Sequence, residues 1–204
     1  MRPRIGSGMG RSDEELVEAC RAGESSAFDL LVDRWQDKIR GACWRVLGSE
    51  EEARDVAQEA FLKAYRALSG FKKEARFSSW LYQIAINLCR DRLRRLRVRS
   101  AVSLEELERT GPVLVETGPG AHEVLVRQDL ASAVRRAIAE LSPEQQEVLI
   151  LKEYQELTFP QIAEVLCVPV STVKTRLYRG LVQLRLRLSE EGVGSAAPVA
   201  VPAP

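Results

Sequence analysis

TFPQIAEVLCVPVSTVKTRLYRGLVQLRLRL, residues 158–188, holds two helical periodicities separated by a stop. Thr158-Phe159-Pro160-Gln161 opens the first: the hydroxyl can accept from the third backbone N–H, Gln161 can reach back, and Pro160 falls in the first turn, where a missing N–H costs nothing. Ile162, Ala163 and Leu166 then share a face. The turn Cys167-Val168-Pro169-Val170 is short, and its proline cannot continue the helix before it. Ser171 is the expected N-cap of the second helix. Val173, Leu177, Leu181 and Leu184 recur at helical spacing and are expected to face inward, which turns Lys174, Thr175, Tyr178 and Arg179 outward together. A helix-turn-helix presents the N-terminal half of its second helix to base edges in the major groove, and these four residues lie there. Arg179 has the fork for a guanine, Thr175 and Lys174 can reach bases or phosphates, and the N–H groups of Ser171 and Thr172 suit a phosphate. An ordinary helical hairpin with a basic face is the alternative. The small Ala163, the short turn and the outward cluster together favour the helix-turn-helix.

Outward from this stretch the chain reads as all-α. Ser12-Asp13-Glu14-Glu15, Ser49-Glu50-Glu51-Glu52 and Ser142-Pro143-Glu144-Gln145 repeat the capping signature. Ala53, Val56, Ala57, Ala60, Phe61, Ala64 and Leu68 form one apolar stripe; Leu81, Ile84, Ala85, Leu88 and Cys89 form another. Helices are predicted over 13–22, 26–47, 50–68, 78–98, 121–141, 143–155, 159–166 and 171–189. Residues 100–120 carry two Gly-Pro steps and no sustained periodicity, which marks a flexible linker. Two small helical domains follow, 12–99 and 121–189, between a flexible N-terminus at 1–11 and a Gly/Pro/Ala-rich tail at 190–204 expected to be disordered.

The 204 residues carry 30 Lys+Arg against 29 Asp+Glu, a balance that hides strong segregation. Residues 62–99 hold eleven bases against Glu74 and Asp91; residues 171–188 hold five bases and no acid; residues 100–170 hold twelve acids against five bases. Two separate basic patches, one per domain, suit two contacts on one polyanion. No stretch approaches the roughly 20 apolar residues that span a bilayer, and residues 1–11 have no apolar core, so neither stable membrane insertion nor a secretory signal is expected; the expected compartment is the cytoplasm. Cys20, Cys43, Cys89 and Cys167 form no C-x-x-C pair and lie far from the lone His122, so no metal site, cofactor or disulfide framework is expected. The cysteines are read as small buried side chains and His122 as a solvated loop residue. No nucleophile–base pair or phosphate-cradling glycine loop is evident, so neither an enzyme nor a small-molecule substrate is expected.

In the N-terminal domain, Asp55, Gln58, Glu59, Leu62 and Arg66 lie opposite the apolar stripe of 50–68, and a leucine within a polar face hints at a protein interface. Next comes Phe71-Lys72-Lys73-Glu74-Ala75-Arg76-Phe77-Ser78-Ser79-Trp80-Leu81-Tyr82. Aromatics interleaved with bases suit stacking on unpaired bases beside a charged backbone; Phe71, Phe77 and Trp80 equally suit the core of a helix junction. Asn87 interrupts the apolar stripe and can both donate and accept, as recognition of a flipped base requires.

With DVAQEAFLKAY at 55–65, FSSWLYQIAIN at 77–87, DRLRR at 91–95 and VKTRL at 173–177 in this order, the chain resembles the bacterial sigma factors of the extracytoplasmic-function (ECF) group, in the sigma-70 family, over residues 12–189. The resemblance implies a region 2 domain at 12–99 and a region 4 domain at 121–189 with no region 3 between them. It implies that Asp55, Gln58, Glu59, Leu62 and Arg66 bind core RNA polymerase. It implies that Phe71, Lys72, Lys73, Trp80, Tyr82 and Asn87 serve the −10 element of promoter DNA, and that the arginines from Arg90 to Arg99, Arg90 and Arg94 among them, track the backbone nearby. Ser171, Thr172, Lys174, Thr175, Tyr178 and Arg179 would serve the −35 element. It also implies an anti-sigma partner that masks these surfaces. Similar proteins usually carry glycine where Cys167 stands, so either Cys167 takes a strained conformation or the turn differs slightly. A free-standing helix-turn-helix regulator is the second reading, which would not need the Asp55–Arg66 surface together with the aromatic, basic segment at 71–87; a scaffold that binds an acidic protein through its basic faces is the third, which competition with specific promoter DNA separates from the other two.

Overall fold

The computed structural model describes residues 10–71, 76–102, 132–134 and 136–190. Lys72, Lys73, His122, most of the expected linker, the first half of the helix expected at 121–141, and both chain ends lie outside the described residues. Every regular element among the described residues is a helix, and the chain falls into two compact units.

The first unit holds α1 (Asp13–Arg21), α2 (Ser26–Leu47), α3 (Glu50–Ala67) followed by one 3-10 turn (Leu68–Gly70), and α4 (Phe77–Val102). Ser12 and Glu15 form the full capping box at α1, the Ser12 hydroxyl accepting from Glu15 N–H at 3.1 Å and the Ser12 N–H donating to the Glu15 carboxylate at 2.6 Å. Asp13, in the first turn, also accepts from Trp35 Nε1 at 3.0 Å and pairs with Arg34, tying α1 to α2. Gly48, at φ 73, closes α2, a backbone conformation that costs glycine nothing. Ser49 caps α3, accepting from Glu52 N–H at 3.3 Å. The expected stripe Ala53, Val56, Ala57, Ala60, Phe61, Ala64 and Leu68 is buried. Its four alanines let α3 lie close to its neighbours, and α3 packs on both α2 and α4. Leu81, Ala85, Leu88 and Cys89 of α4 complete the core with Leu31, Ile39 and Cys43 of α2. Helix α4 begins one residue before the expected 78 and runs four past the expected 98, so residues 100–102, assigned to the linker, are helical.

The second unit holds α5, seen at 132–134 and 136–139, then α6 (Pro143–Leu149), a π turn (Ile150–Tyr154), α7 (Phe159–Leu166) and α8 (Val170–Glu190). Ser142 and Gln145 form the second full capping box, with Pro143 in the first turn. The single helix expected over 143–155 changes pitch at Ile150: the N–H of Gln155 donates to the carbonyl of Ile150, five residues back, at 3.2 Å. Glu156, at φ 54, then ends the segment. Helix α8 crosses α6 closely at Gly180, where an added Cβ would stand 3.4 Å from Gln145 Cβ.

The cysteines depart from the uniform burial expected of them. Cys43 and Cys89 are buried, Cys20 is partly exposed and Cys167 is exposed. Burial, then the nearby Glu24 carboxylate, push the Cys20 thiol above its ordinary value.

Candidate nucleic-acid and protein interfaces

In the second unit the turn between α7 and α8 is three residues, Cys167 to Pro169. Cys167 adopts φ 54, the left-handed conformation that glycine takes without penalty, so of the two outcomes left open the strained residue is the one observed. The N–H of Val168 donates to Ala163 at 3.1 Å across the turn. Ser171 is not the N-cap. The carbonyl of Pro169 accepts from Val173 N–H at 3.1 Å, which starts the helix at Val170 and moves Ser171 into its first turn. The N–H groups of Ser171 and Thr172 remain ahead of the first intrahelical acceptor pair, as an anion site at a helix start requires.

Val173, Leu177 and Gly180 form the buried face of α8; Leu181 and Leu184 are half-buried, because the glycine lets the backbone itself make the contact. Ser171, Lys174, Thr175 and Arg179 are exposed, with Thr172 and Tyr178 half-buried beside them. Lys174 Nζ stands 5.8 Å from the Phe159 ring centre, and Lys152 Nζ stands 5.3 Å from it. The Thr175 hydroxyl donates to the Ser171 carbonyl at 2.9 Å, so its proton is engaged by the helix backbone. All six expected −35 residues thus fall on one end of one helix.

In the first unit Asp55, Gln58, Glu59, Leu62 and Arg66 share one exposed face of α3, and Leu62 is 56% exposed. The structure adds Tyr65, 52% exposed and edge-on to Phe28 of α2 at 4.9 Å between ring centres. Phe28, Val32, Phe61, Leu62 and Tyr65 line a groove between α2 and α3 whose rim carries Asp29, Asp37, Arg40, Arg54 and Gln58. Tyr65 was legible from its place three positions past Leu62, the spacing that shares a helix face.

The aromatic segment divides. Phe71, Phe77 and Trp80 pack as a cluster, with ring centres 4.9 Å apart for Phe71–Trp80 and 6.1 Å for Phe77–Trp80. Phe71 and Phe77 are buried, and only Trp80 keeps an exposed edge. Tyr82 corrects the expectation of a DNA-facing residue: it is 1% exposed, edge-on to Trp35 at 6.0 Å, and burial pushes its phenol far above the ordinary tyrosine value. One residue of helical phase separates it from the exposed face, since Leu81, Tyr82, Ala85, Ile86 and Cys89 all turn inward. Asn87 is exposed, and its side-chain oxygen accepts from Arg90 Nη1 at 3.3 Å. Arg94 pairs with Asp91 at 2.9 Å on the next turn. Arg92, among the arginines expected to track DNA, turns instead onto α3 and pairs with Glu52 at 2.5 Å.

Two family models match the chain, Sigma-70 region 2 over residues 31–99 and Sigma-70, region 4 over residues 131–184. The chain is 35% identical over 181 residues to the ECF RNA polymerase sigma factor SigW of Bacillus subtilis (strain 168), covering 87% of this chain and 97% of that one. The chain is an ECF sigma factor of the sigma-70 family. This sigma factor is also 33% identical over 174 residues to the ECF RNA polymerase sigma-E factor of Escherichia coli (strain K12), covering 82% of this chain and 90% of that one. Among solved structures it is similar to CnrH in complex with the cytosolic domain of CnrY, with 25% identity, 89% of this chain and 99% of that one covered, and a TM-score of 0.67. Sigma factors are non-catalytic RNA polymerase subunits that direct transcription initiation, so the surfaces of this sigma factor act by binding and positioning. The region 4 match takes in α7 and the first two thirds of α8, the helix-turn-helix described above. Among the described residues no helix is long and apolar enough to cross a membrane.

Proposed function

We propose that this sigma factor divides initiation between three surfaces. The α3 face of Asp55, Gln58, Glu59, Leu62 and Arg66, widened by Tyr65, binds core RNA polymerase. Its form supports this: an apolar centre with a charged rim is how protein interfaces concentrate their energy. Trp80, Asn87, Arg90 and Arg94, with Lys72 and Lys73 just before α4 in sequence, serve the −10 element, Asn87 reading a base held out of the stack. Phe71 and Tyr82 support that site from the core rather than touching DNA. Ser171, Thr172, Lys174, Thr175, Tyr178 and Arg179 serve the −35 element. Opening needs no nucleotide hydrolysis, because capture of a flipped base offsets the few kcal/mol lost in unstacking it. The protein acts in the cytoplasm, and a cognate anti-sigma factor masks these surfaces; the co-crystal of RpoE with the anti-sigma factor NepR from Bartonella quintana shares the fold, at 20% identity and a TM-score of 0.64.

The single observation that carries the reading is the co-occurrence, in one chain, of a helix-turn-helix with a clustered basic N-terminal half and an exposed apolar-centred face on α3. The test mixes purified chain with core polymerase and measures promoter binding. Selective binding should appear only in the mixture. Equal selective binding by the chain alone would favour a free-standing regulator.

A further inference from the structure

Helix α1 takes no part in the three surfaces, yet its last residue reaches the approach to one of them. Arg21 is held by Glu18 one turn back, its Nη1 donating to Oε1 at 3.0 Å, which orients the guanidinium on its own helix. From there Nη2 donates to the carbonyl of Ser69 at 2.7 Å, across 48 positions of sequence. Ser69 is the middle residue of the 3-10 turn Leu68–Gly70 that ends α3 and delivers Phe71. Carbonyls at a helix end lack intrahelical donors and carry partial negative charge, and a cation from another helix answers both. Packing holds this turn at its start, where Leu68 is buried. Ser69 and Gly70 are exposed, and a Cβ added at Gly70 would meet nothing within 4 Å. Just beyond, the Phe71 ring is buried 4.9 Å from the Trp80 ring and 6.2 Å from that of Phe77. Of these three rings Trp80 is the one left partly open.

We propose that Arg21 is a positioning residue for −10 strand binding: its bond to Ser69 sets where the chain leaves α3, and Phe71 passes that placement to the ring of Trp80. The proposal rests on the assignment of Trp80 to the −10 element above. A stacking ring is best held in one pose before the base arrives, because ordering it on binding subtracts from the affinity. Phe71 packs against that ring, and Arg21 fixes the backbone that carries Phe71. Arginine suits the task because it stays charged, and its fork serves the Glu18 carboxylate and the Ser69 carbonyl from two different nitrogens at once.

The test mixes the full chain with core polymerase and measures binding of a fluorescent single-stranded oligonucleotide carrying the −10 sequence of a promoter that the mixture transcribes. Wild type is compared with Arg21→Ala, Arg21→Lys, Trp80→Ala and the double variant of Arg21→Ala with Trp80→Ala. Thermal melting, core affinity and binding of a −35 duplex are measured for each. Arg21→Ala should weaken oligonucleotide binding by about twofold to tenfold, the scale of one hydrogen bond, and Arg21→Lys should recover part of the loss. Melting temperature, core affinity and −35 binding should stay near the wild-type values. The double variant should bind no more weakly than Trp80→Ala alone, since residues that act through one another are not additive; if Trp80→Ala does not fold, Trp80→Leu takes its place in the cycle. Unchanged oligonucleotide binding by Arg21→Ala overturns the proposal, and so does an additive loss in the double variant, which would make Arg21 act elsewhere. A loss shared by core and −35 binding and matched by a lower melting temperature also overturns it, making the bond structural alone. Normal oligonucleotide binding by the Trp80 variant overturns the −10 assignment of Trp80 and this inference with it; the Arg21 outcomes above overturn the inference only.

Discussion

Arg179 and Lys174 are both exposed on the N-terminal half of α8, yet their chemistry suits different work. The fork of Arg179 suits two acceptors on a guanine, whereas Lys174 is a point charge held near the Phe159 ring. Arg179→Ala should weaken promoter binding by about 1–3 kcal/mol and relax preference at one −35 position. Lys174→Ala should weaken binding more evenly across sequences and lower its salt dependence. Competition binding across single-base −35 variants separates the two; unchanged preference in both would remove this helix from base reading. Asn87 gives a second residue-scale expectation. Its side chain is exposed and bonded to Arg90 rather than to backbone, so Asn87→Ala should spare the melting temperature and closed complexes while reducing permanganate reactivity at −10. A pre-melted bubble should restore part of the transcription. Normal opening with an intact melting temperature would dismiss Asn87 from the site. For Tyr82 the sign follows from burial. Its folded value is raised, so the unfolded phenol ionises first, and the stability of the neutral form, complete below about pH 10, drains as pH rises beyond it. Tyr82→Phe should flatten that alkaline decline in denaturant titrations; an identical decline in both proteins would contradict the burial of the hydroxyl.

At the scale of elements, α3 is the clearest case of two faces on one helix. Substituting Asp55, Gln58, Glu59 and Leu62 together by alanine leaves the buried stripe intact, so folding should persist while core binding falls by about 2 kcal/mol or more; undiminished co-purification with core would refute the assignment. In the second unit, Gly180 is a helix-interior glycine with room for one methyl at ordinary contact distance from Gln145. Gly180→Ala should therefore stabilise by about 0.5–1 kcal/mol, while Gly180→Leu, which must push α8 from α6, should lower stability in the same melts. Most of this was legible beforehand. Capping signatures located four helix starts, and apolar spacing named the buried face of α3 residue by residue. What escaped was phase and backbone detail. Tyr82 lay one helical step from the exposed side, a difference that spacing in a helix with an almost continuous apolar run does not resolve. Ser171 looked like a cap because its side chain suits one, but Pro169 supplies the first acceptor. The π turn at Ile150–Tyr154 leaves no mark on apolar periodicity, since widening one turn keeps both Ile150 and Leu151 buried.

For the whole molecule, the near-zero net charge is the sum of opposed segments, and the two basic ones fall in different units, each beside a surface of distinct chemistry. On the proposed assignment, two promoter elements are recognised only while polymerase holds both units to one DNA, since each patch alone would be a modest contact whose strength falls steeply with salt. The most direct measurement is run-off transcription on a promoter library with purified core polymerase, with and without the chain. The account predicts transcripts from a subset of promoters sharing one −35 and one −10 sequence, only when the chain is present, and lost when Arg179 and Asn87 are both replaced by alanine. Transcripts independent of the chain, or selective promoter binding by the chain with no transcription in any mixture, would contradict it.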